Sequence, residues 1–349
     1  MGVPATRWRR SAEDGDVQGE LLSRARSGDD VAFEELVRPH HRELQAHCYR
    51  ILGSAADAED AFQESLTAAW KGLVGFEGRA SFRTWLYRIA TGRCLNMVRA
   101  GRRSAVSSTP SHVELPEPSG LGEVLWLEPY PDAMLEEVPD PTAGPEARYE
   151  ERESISLAFI AALQLLPPRQ RAALILTDVL DFSAREVAEM LDTTEHAIYG
   201  AVKRARATLS RQLPKAEPPP LPNSPDEMRV VDRLVRAWEQ CDTNALVELL
   251  TDDAWLRMPP DPLEYRGKET VKRWFATTAF VVGRRYRLVP TRANGQPAFG
   301  IYLFSTISHV AHAFGLIVVT LAGDRVSAIT AFESGVMARF GLPRSVARD

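Results

Sequence analysis

Polar and basic side chains recur along one side of a short segment near residue 200, where they could bind nucleic acid. The four residues are His196, Tyr199, Lys203 and Arg206, spaced three, four and three positions apart. Apolar residues recur along another side of the same segment; these are Ile198, Val202, Ala205 and Leu209. The pattern predicts a helix with one buried stripe and one cationic, hydrogen-bonding stripe, which suits the major groove of DNA. The alternative is an ordinary helical hairpin whose basic side is simply solvated.

The residues just before this stripe predict a partner helix and a tight turn. Ser183 and Glu186 form an S-x-x-E capping box, which satisfies unpaired N–H groups where a helix begins. The polar triplet Asp192-Thr193-Thr194 then ends this helix and offers a cap for the next one. Residues 182–209 therefore predict a helix-turn-helix.

A second cationic group lies upstream, where seven arginines and no acidic residue occur between Arg79 and Arg103. An apolar stripe runs through it at helical spacing, formed by Phe82, Trp85, Leu86 and Ile89. Since Arg83 and Arg88 cannot join that stripe, they must face solvent or phosphate. Residues 104–151 hold eleven acids and one arginine, so the net charge of −5 hides two opposite local fields.

Composition excludes several classes of protein. The 349 residues are enough for two or three domains, and 44% hydrophobic with 26% charged residues is ordinary for a globular protein. The three cysteines are far apart, which indicates reduced thiols and a cytoplasmic location. A metal site at His40, His41, His47 and Cys48 is the alternative to ordinary helix positions, and no metal or cofactor is predicted. No apolar signal segment or membrane-spanning run is evident, so no membrane association is expected.

Longer motifs extend both patterns and identify a family. The first is Asp57-Ala-Glu-Asp-Ala-Phe-Gln-Glu64, followed by Trp70, by Phe76-Glu-Gly-Arg-Ala-Ser-Phe-Arg-Thr-Trp-Leu-Tyr-Arg-Ile-Ala90 and by Cys94-Leu-Asn96. It resembles region 2 of the sigma-70 family, in the extracytoplasmic-function branch. The chain from Leu166-Pro-Pro-Arg-Gln-Arg171 to Arg206 resembles region 4 of that family. The two segments follow the family's order and cover somewhat under half of the chain.

This resemblance implies a sigma factor, the promoter-specificity subunit of bacterial RNA polymerase, and gives roles to particular residues. Docking on the β′ subunit of the core enzyme would use Asp57, Asp60, Gln63 and Glu64. Binding of the −10 element, with capture of a flipped base, would use Phe76, Arg79, Ser81, Phe82, Arg83, Thr84, Trp85, Arg88 and Asn96. Binding of the −35 element would use Thr194, His196, Tyr199, Gly200, Lys203, Arg204 and Arg206.

The recognition helix departs from the family's common pattern, which has basic residues where this chain has Tyr199 and Ala201. The −35 sequence that this chain prefers is therefore expected to differ from the usual one. Arg204 and Arg206 keep their match and are expected to anchor phosphates, whereas base readout by Lys203 or Tyr199 is a hypothesis.

From Asp226 the pattern changes to that of an α+β domain. Residues 228–250 predict one amphipathic helix and residues 271–275 another. Strands are predicted at 298–304, 311–321 and 326–332, with Gly323-Asp324 as the turn between the last two. Three phrases resemble the SnoaL-like family of cone-shaped α+β barrels: Leu249-Leu-Thr-Asp-Asp-Ala254, Met258-Pro-Pro260 and Tyr265-Arg-Gly267.

The SnoaL-like resemblance implies either a filled barrel or a cavity for a small apolar ligand. The residues that would line such a pocket are Trp255, Met258, Tyr265, Trp274, Tyr302, His312 and Phe314. Asp253 and His312 are the candidates for proton transfer. No acid–base set is evident, so no catalytic residues and no enzymatic activity are expected.

Together these patterns predict a multidomain protein, with two all-α helical domains followed by an α+β SnoaL-like cone-shaped barrel. The predicted boundaries are a disordered N-terminus at 1–16, region 2 at 17–103, an acidic linker at 104–151, region 4 at 152–212, a proline-rich linker at 213–225 and the SnoaL-like domain at 226–349. The SnoaL-like domain is expected to modulate the sigma activity. Within the acidic linker, the apolar residues 125–130 could dock on a partner, dock on the protein itself or form a local cluster.

Two other functions remain open from sequence. One is a ligand-sensing helix-turn-helix regulator that binds DNA without polymerase, and the other is a cyclase- or isomerase-like enzyme fused to DNA-binding domains. The expected partners are the polymerase core with its β and β′ subunits and promoter DNA. A small-molecule ligand and an anti-sigma factor are further candidates.

Overall fold

The structure is a computed structural model that describes residues 12–101, 115–121, 127–135, 154–212, 217–305 and 310–347. Its first helix begins at Ala12, so residues 12–16 are helical although the sequence predicted disorder through residue 16. Residues 1–11 and most of the acidic linker, including Leu125 and Trp126, lie outside the described part.

Residues 12–101 form an N-terminal domain of five α-helices. They are α1 (Ala12–Arg26), α2 (Asp30–Val37), α3 (His41–Leu52), α4 (Ala55–Gly72) and α5 (Phe82–Arg99). The side chains of Asp29, Ser54 and Ser81 accept hydrogen bonds from first-turn N–H groups of α2, α4 and α5. Such caps satisfy backbone donors that have no partner inside the helix.

Residues 154–212 form the helix-turn-helix domain, which packs against the first domain. Its helices are α6 (Leu157–Gln164), α7 (Pro168–Leu174), α8 (Ala184–Met190) and α9 (Glu195–Gln212). Ser156 and Ser183 cap α6 and α8, and Pro168 starts α7, where its missing N–H costs nothing. A π-helical turn, Ile175–Val179, extends α7 toward α8.

The C-terminal domain packs helices against a mostly antiparallel sheet. The helices are α10 (Pro225–Glu239), α11 (Thr243–Glu248) and α12 (Lys268–Trp274). The strands are β1 (Gly120–Leu121, from the acidic linker), β2 (Leu250–Arg257), β3 (Leu263–Arg266), β4 (Tyr286–Ala293), β5 (Gln296–Phe304), β6 (Val310–Ala322), β7 (Arg325–Glu333) and β8 (Ser345–Ala347). Their order is β1-β3-β2-β7-β6-β5-β4, with β8 paired to β6 and only β2 and β7 parallel among the described pairs. The predicted fold class is confirmed.

Two details of this domain differ from the sequence prediction. Residues 228–250 form two helices rather than one, because Cys241 has a φ of 52° and the Asp242 side chain caps a new helix. Strands β1, β2, β3, β4 and β8 were missed. Acidic Asp252 and Asp253 weaken the pattern of β2, and Pro290 is tolerated in β4 because β4 lies at the edge of the sheet.

The sheet has two buried faces that belong to different cores. Its inner face packs on α10, α11 and α12 around Trp238, Phe275 and Phe299. Its outer face, through Tyr302 and Phe332, joins an apolar cluster that is continuous with the cores of both helical domains. The three domains therefore pack as one assembly.

Candidate nucleic-acid interface

The helix-turn-helix forms as the sequence predicted. Glu186 completes the capping box by accepting a hydrogen bond from the Ser183 N–H at 3.0 Å. Asp192 turns the chain between α8 and α9 with a φ of 47°, and Thr194 Oγ1 accepts from the Ala197 N–H at 3.2 Å. The apolar stripe of α9 is buried, at Ile198, Val202, Ala205 and Leu209. The polar stripe is exposed, at His196, Tyr199, Lys203 and Arg206.

The polar stripe of α9 borders a cleft of about 540 Å³. Tyr199 is 64% exposed there, so it can reach a base or a partner side chain. Arg206 is held by Asp178 through two hydrogen bonds of 2.7 and 2.8 Å. A Cβ on Gly200 would lie 3.3 Å from the Arg204 guanidinium, so this glycine lets the cation lie against the helix. The structure therefore groups the predicted −35 residues on α9 and at its cap.

Phe76, predicted to capture a flipped base, is packed rather than open. It is only 7% exposed, and its ring centroid lies 4.9 Å from that of Trp85 and 6.2 Å from that of Phe82. Arg26 of α1 covers the ring and also donates a hydrogen bond to the Phe76 carbonyl. Phe82, Trp85 and Arg26 therefore cover most of the Phe76 ring, and in this arrangement it is not an open stacking surface.

The other predicted −10 residues lie on α5 or at its start. Arg79 is exposed in the loop, paired with Glu77, while Ser81 caps α5 by accepting from the Thr84 N–H at 3.0 Å. Asn96 is exposed near the far end of the helix. The predicted −10 residues from Ser81 to Asn96 thus lie at the cap of α5 or along it, whereas Arg79 lies in the loop before it.

The first two turns of α5 contact the helix-turn-helix domain. Arg83 Nη2 donates to the Leu180 carbonyl at 3.3 Å, and Thr84 Oγ1 donates to Glu186 at 3.0 Å. Arg88 donates to Asp192 at 3.1 Å. Burial opposes ionisation of Glu186, but its hydrogen bonds from Ser183 and Thr84 outweigh that effect, so its pKa lies below the ordinary value.

The acidic motif lies on α4, with four of its residues exposed: Glu59, Asp60, Gln63 and Glu64. Asp57 is half-buried near the start of the helix. Glu59 forms an ion pair of 3.0 Å with Arg339, from a C-terminal 3₁₀ helix, Ser334–Phe340. The C-terminal domain therefore reaches the edge of the face predicted to bind polymerase.

A buried asparagine in the β4–β5 turn connects all three domains. Asn294 Nδ2 donates to the Tyr49 hydroxyl at 2.9 Å and to the Ile155 carbonyl at 2.8 Å, while its Oδ1 accepts from the Tyr130 N–H at 2.9 Å. Tyr49 is in α3, Tyr130 in the acidic linker and Ile155 at the start of the helix-turn-helix domain. Burial raises the pKa of Tyr49, so its hydroxyl stays protonated and donates to the Glu128 carbonyl at 2.8 Å. Sequence reasoning missed Asn294, although Asn-Gly is a hairpin signal.

Charged groups reinforce this junction. Arg292 pairs with Glu227 of α10 at 2.9 Å and with Asp132 of the linker at 3.4 Å, and all three side chains are largely buried. Glu128 accepts hydrogen bonds from Ser54 Oγ and the Ala56 N–H, both at 3.1 Å, at the start of α4. Of the alternatives for the apolar linker segment, the described residues 127–130 therefore dock on the protein itself.

The seven residues predicted to line one pocket are not brought together. Met258, Tyr265 and Trp274 pack in the inner core, whereas Tyr302 lies on the outer face of the sheet. The guanidinium carbons of Arg257 and Arg266 lie 4.2 and 4.9 Å from the centroid of the Trp255 ring. His312 and Phe314 are exposed, as is Asp253. The two candidates for proton transfer therefore lie in solvent on different strands.

Of the histidine cluster near residue 47, His47 and Cys48 lie in a packed core, whereas His40 is half-buried and His41 is exposed. His47 is fully buried, with Nε2 2.8 Å from Thr91 Oγ1. Burial, followed by the positive charges of Arg50 and Arg83, lowers the pKa of His47 to about 3. Within the described ranges, no group of three His, Cys, Asp or Glu side chains is placed to hold a metal ion. None of the helices in those ranges combines the length and apolarity needed to cross a membrane.

Comparison with known proteins places these surfaces in families. Family models match residues 36–104 as Sigma-70 region 2, residues 156–209 as Sigma-70, region 4, and residues 231–334 as a SnoaL-like domain. The chain is 41% identical over 331 residues to the ECF RNA polymerase sigma factor SigG of Mycobacterium tuberculosis, covering 92% of this chain and 86% of SigG. It is 31% identical over 194 residues to SigM of the same organism, covering 56% of this chain and 83% of SigM. The crystal structure of the M. tuberculosis sigma factor SigJ has a similar fold, with a TM-score of 0.56 and 22% identity over 86% of this chain and 97% of SigJ.

Proposed function

The chain belongs to the extracytoplasmic-function RNA polymerase sigma factors, and on that premise we propose which of its surfaces bind the polymerase core and promoter DNA. Region 2 (residues 36–104) docks on the polymerase core through α4 and binds the −10 element through α5. Region 4 (residues 156–209) binds the −35 element through α9. The observation that supports this assignment best is the exposed acidic face of α4 in the same chain as a recognition helix, α9, that Thr194 caps. A regulator that binds DNA without polymerase has no use for such a face.

Reversing the charge of Asp60 is expected to weaken binding to core polymerase. Asp60 is exposed on α4, so Asp60→Lys changes the docking face without disturbing the fold. Loss of one close interfacial charge pair predicts an affinity reduced by about tenfold or more. Fluorescence anisotropy with purified core enzyme measures the affinity, and in vitro transcription measures the consequence.

Glu34→Lys provides a matched control, since Glu34 is an exposed acid on α2 of the same domain. Its affinity for core enzyme is expected to equal that of the wild-type chain. Equal affinities for the two variants would contradict the assigned docking face. Promoter binding that is the same with and without core enzyme would instead favour the ligand-sensing regulator.

Removing Arg206 is expected to weaken promoter binding in a salt-dependent way. Arg206→Ala deletes one exposed cation from α9, so the slope of log affinity against log salt should fall by about one phosphate contact. The measurement is a salt titration of promoter binding by the holoenzyme. Arg229→Ala is the control, because Arg229 is also an exposed arginine paired with a nearby acid, Asp226, but lies on α10. An unchanged slope for Arg206→Ala would remove this residue from the DNA contacts.

We further propose that the SnoaL-like domain modulates the sigma activity in cis. The support is the buried junction, where Asn294 bonds to both helical domains and Arg292 bonds to the linker. A ligand or partner that binds one arrangement of the domains more tightly would shift the balance between arrangements. The exposed positions of Asp253 and His312 give no support to the enzyme alternative.

A further inference from the structure

We propose, on the basis of the function proposed above, that region 4 masks the −10 surface of region 2 by presenting acceptors where a DNA strand would present phosphates. The masking surface comprises Leu180, Glu186 and Asp192, and the masked surface comprises Arg83, Thr84 and Arg88. The partner that fits the −10 surface in the free protein is therefore the acidic side of its own helix-turn-helix.

The contacts pair donors with acceptors along two successive turns of α5. Three side chains assigned to the −10 element donate to a carbonyl oxygen and two carboxylates, at distances between 3.0 and 3.3 Å. Thr84 is only 3% exposed. Basic and hydroxyl side chains bind DNA phosphates through the same kind of charge-assisted hydrogen bond. Glu186 and Asp192 thus occupy the place of two strand phosphates.

An aromatic ring completes the likeness to a nucleic-acid strand. The Arg83 guanidinium carbon lies 4.3 Å from the centroid of the Phe182 ring. The centroid of the Tyr87 ring lies 5.3 Å from the centroid of the Phe182 ring. An unpaired base offers the same flat surface to a guanidinium group or an aromatic side chain. Phe182 therefore fills a position on α5 that a base could take.

Distance makes this contact incompatible with promoter binding. Promoter elements centred roughly 25 base pairs apart are separated by about 85 Å along B-DNA, at 3.4 Å per base pair. In the structure, Thr84 of region 2 and Glu186 of region 4 are in direct contact at 3.0 Å. The same chain cannot hold this contact and bind both elements, so the masked form has to open.

The contact between regions 2 and 4 can open without leaving Glu186 or Arg83 unpaired, because each has a second partner in its own domain. Glu186 also accepts hydrogen bonds from the Ser183 N–H at 3.0 Å and from Ser183 Oγ at 2.7 Å. Arg83 also pairs with Glu43 at 2.9 Å, inside its own domain. Because the residues keep these partners after separation, opening avoids the penalty of an unpaired buried charge.

The double variant Glu186→Gln/Asp192→Asn tests the masking. Gln preserves a capping box, and Asn tolerates the positive φ of 47° at position 192, so the fold should be retained. The probe is a fluorescent, random-sequence single-stranded DNA of 20 nucleotides, titrated with the full chain in the absence of polymerase. The amide oxygens can still accept hydrogen bonds, but loss of both carboxylate charges weakens the two contacts. This weakening predicts probe binding tighter by about fivefold to tenfold. Amide hydrogen exchange of residues 82–91 should become faster.

Glu189→Gln/Asp181→Asn is the matched control. It removes the same charge from exposed positions of region 4, and Asp181 has a similar φ of 55°. If this control binds the probe as tightly as the test variant, the gain is a general effect of charge and the masking is overturned. Unchanged probe binding and exchange in the test variant would also overturn it.

Transcription with core polymerase separates this inference from the proposed function. A test variant that transcribes normally but shows no gain in probe binding contradicts only the masking. A wild-type chain that never supports core-dependent transcription contradicts the proposed function, while hydrogen exchange still reports whether region 4 covers α5.

Discussion

Replacing Asn294 by alanine is expected to lower the free energy of unfolding by about 2–4 kcal/mol, because buried groups lose their hydrogen-bond partners. Asn294 is fully buried, and its amide bonds to Tyr49, Ile155 and the Tyr130 N–H. The bonds to Tyr49 and Ile155 connect region 2 to the start of the helix-turn-helix domain, so their loss should also favour separation of region 2 from region 4. Binding of single-stranded DNA by the free chain is therefore expected to rise. Chemical denaturation and fluorescence anisotropy measure the two effects.

Asn223→Ala is the matched control for this prediction. Asn223 has a φ of 60°, close to the 57° of Asn294, but its side chain is exposed. Both variants place alanine in the left-handed region at a cost of about 1 kcal/mol, so the difference between them isolates the buried hydrogen bonds. If both variants have the same stability and the same affinity for DNA, the Asn294 junction does not couple the domains.

Acidification is expected to destabilise the chain through His47. The imidazole is fully buried with a folded-state pKa of about 3, well below the ordinary value of 6.5. Below pH 6.5 His47 binds a proton in the unfolded chain but stays neutral in the folded chain. The free energy of unfolding therefore falls as the pH decreases. The slope is about 1.4 kcal/mol per pH unit, and the total reaches about 4–5 kcal/mol near pH 3. Above pH 6.5 this residue contributes no pH dependence.

The variant His47→Gln isolates this effect, since glutamine can still hydrogen-bond to Thr91 but does not titrate. Urea unfolding at intervals from pH 7.5 to pH 4 should show a shallower loss of stability for His47→Gln than for the wild-type chain. His196→Gln, at an exposed position on α9, should follow the wild-type curve. Parallel curves for His47→Gln and the wild-type chain would show that His47 is not held neutral by burial.

Local rules explain why much of this structure was predictable from sequence. The capping box at Ser183 and Glu186 and the period of Ile198 and Val202 depend on residues three or four positions apart. Such neighbours lie on the same turn or the next, so their spacing reports the helix directly. The turn at Gly323-Asp324 follows from equally local chemistry.

The contacts between domains could not be predicted, because they join residues far apart in sequence. Asn294 and Tyr49 are separated by 245 positions, and Thr84 and Glu186 by 102. Phe76 illustrates the same limit. An aromatic residue in a glycine-containing loop is consistent with an open stacking platform or with a packed ring, and only the positions of Arg26 and Trp85 decide between them.

The outer face of the β-sheet limits how far the domains can be exchanged between relatives. Tyr302, Leu316 and Phe332 share one apolar cluster with the helical domains, so a fragment that ends before α10 would expose part of that cluster. A change in the activity of such a fragment could therefore arise from aggregation through the exposed cluster as well as from loss of regulation by the C-terminal domain. The linker residues 127–135 bind the same junction through Tyr130 and Asp132. A functional chimera therefore has to inherit the C-terminal domain and this linker segment from the same parent.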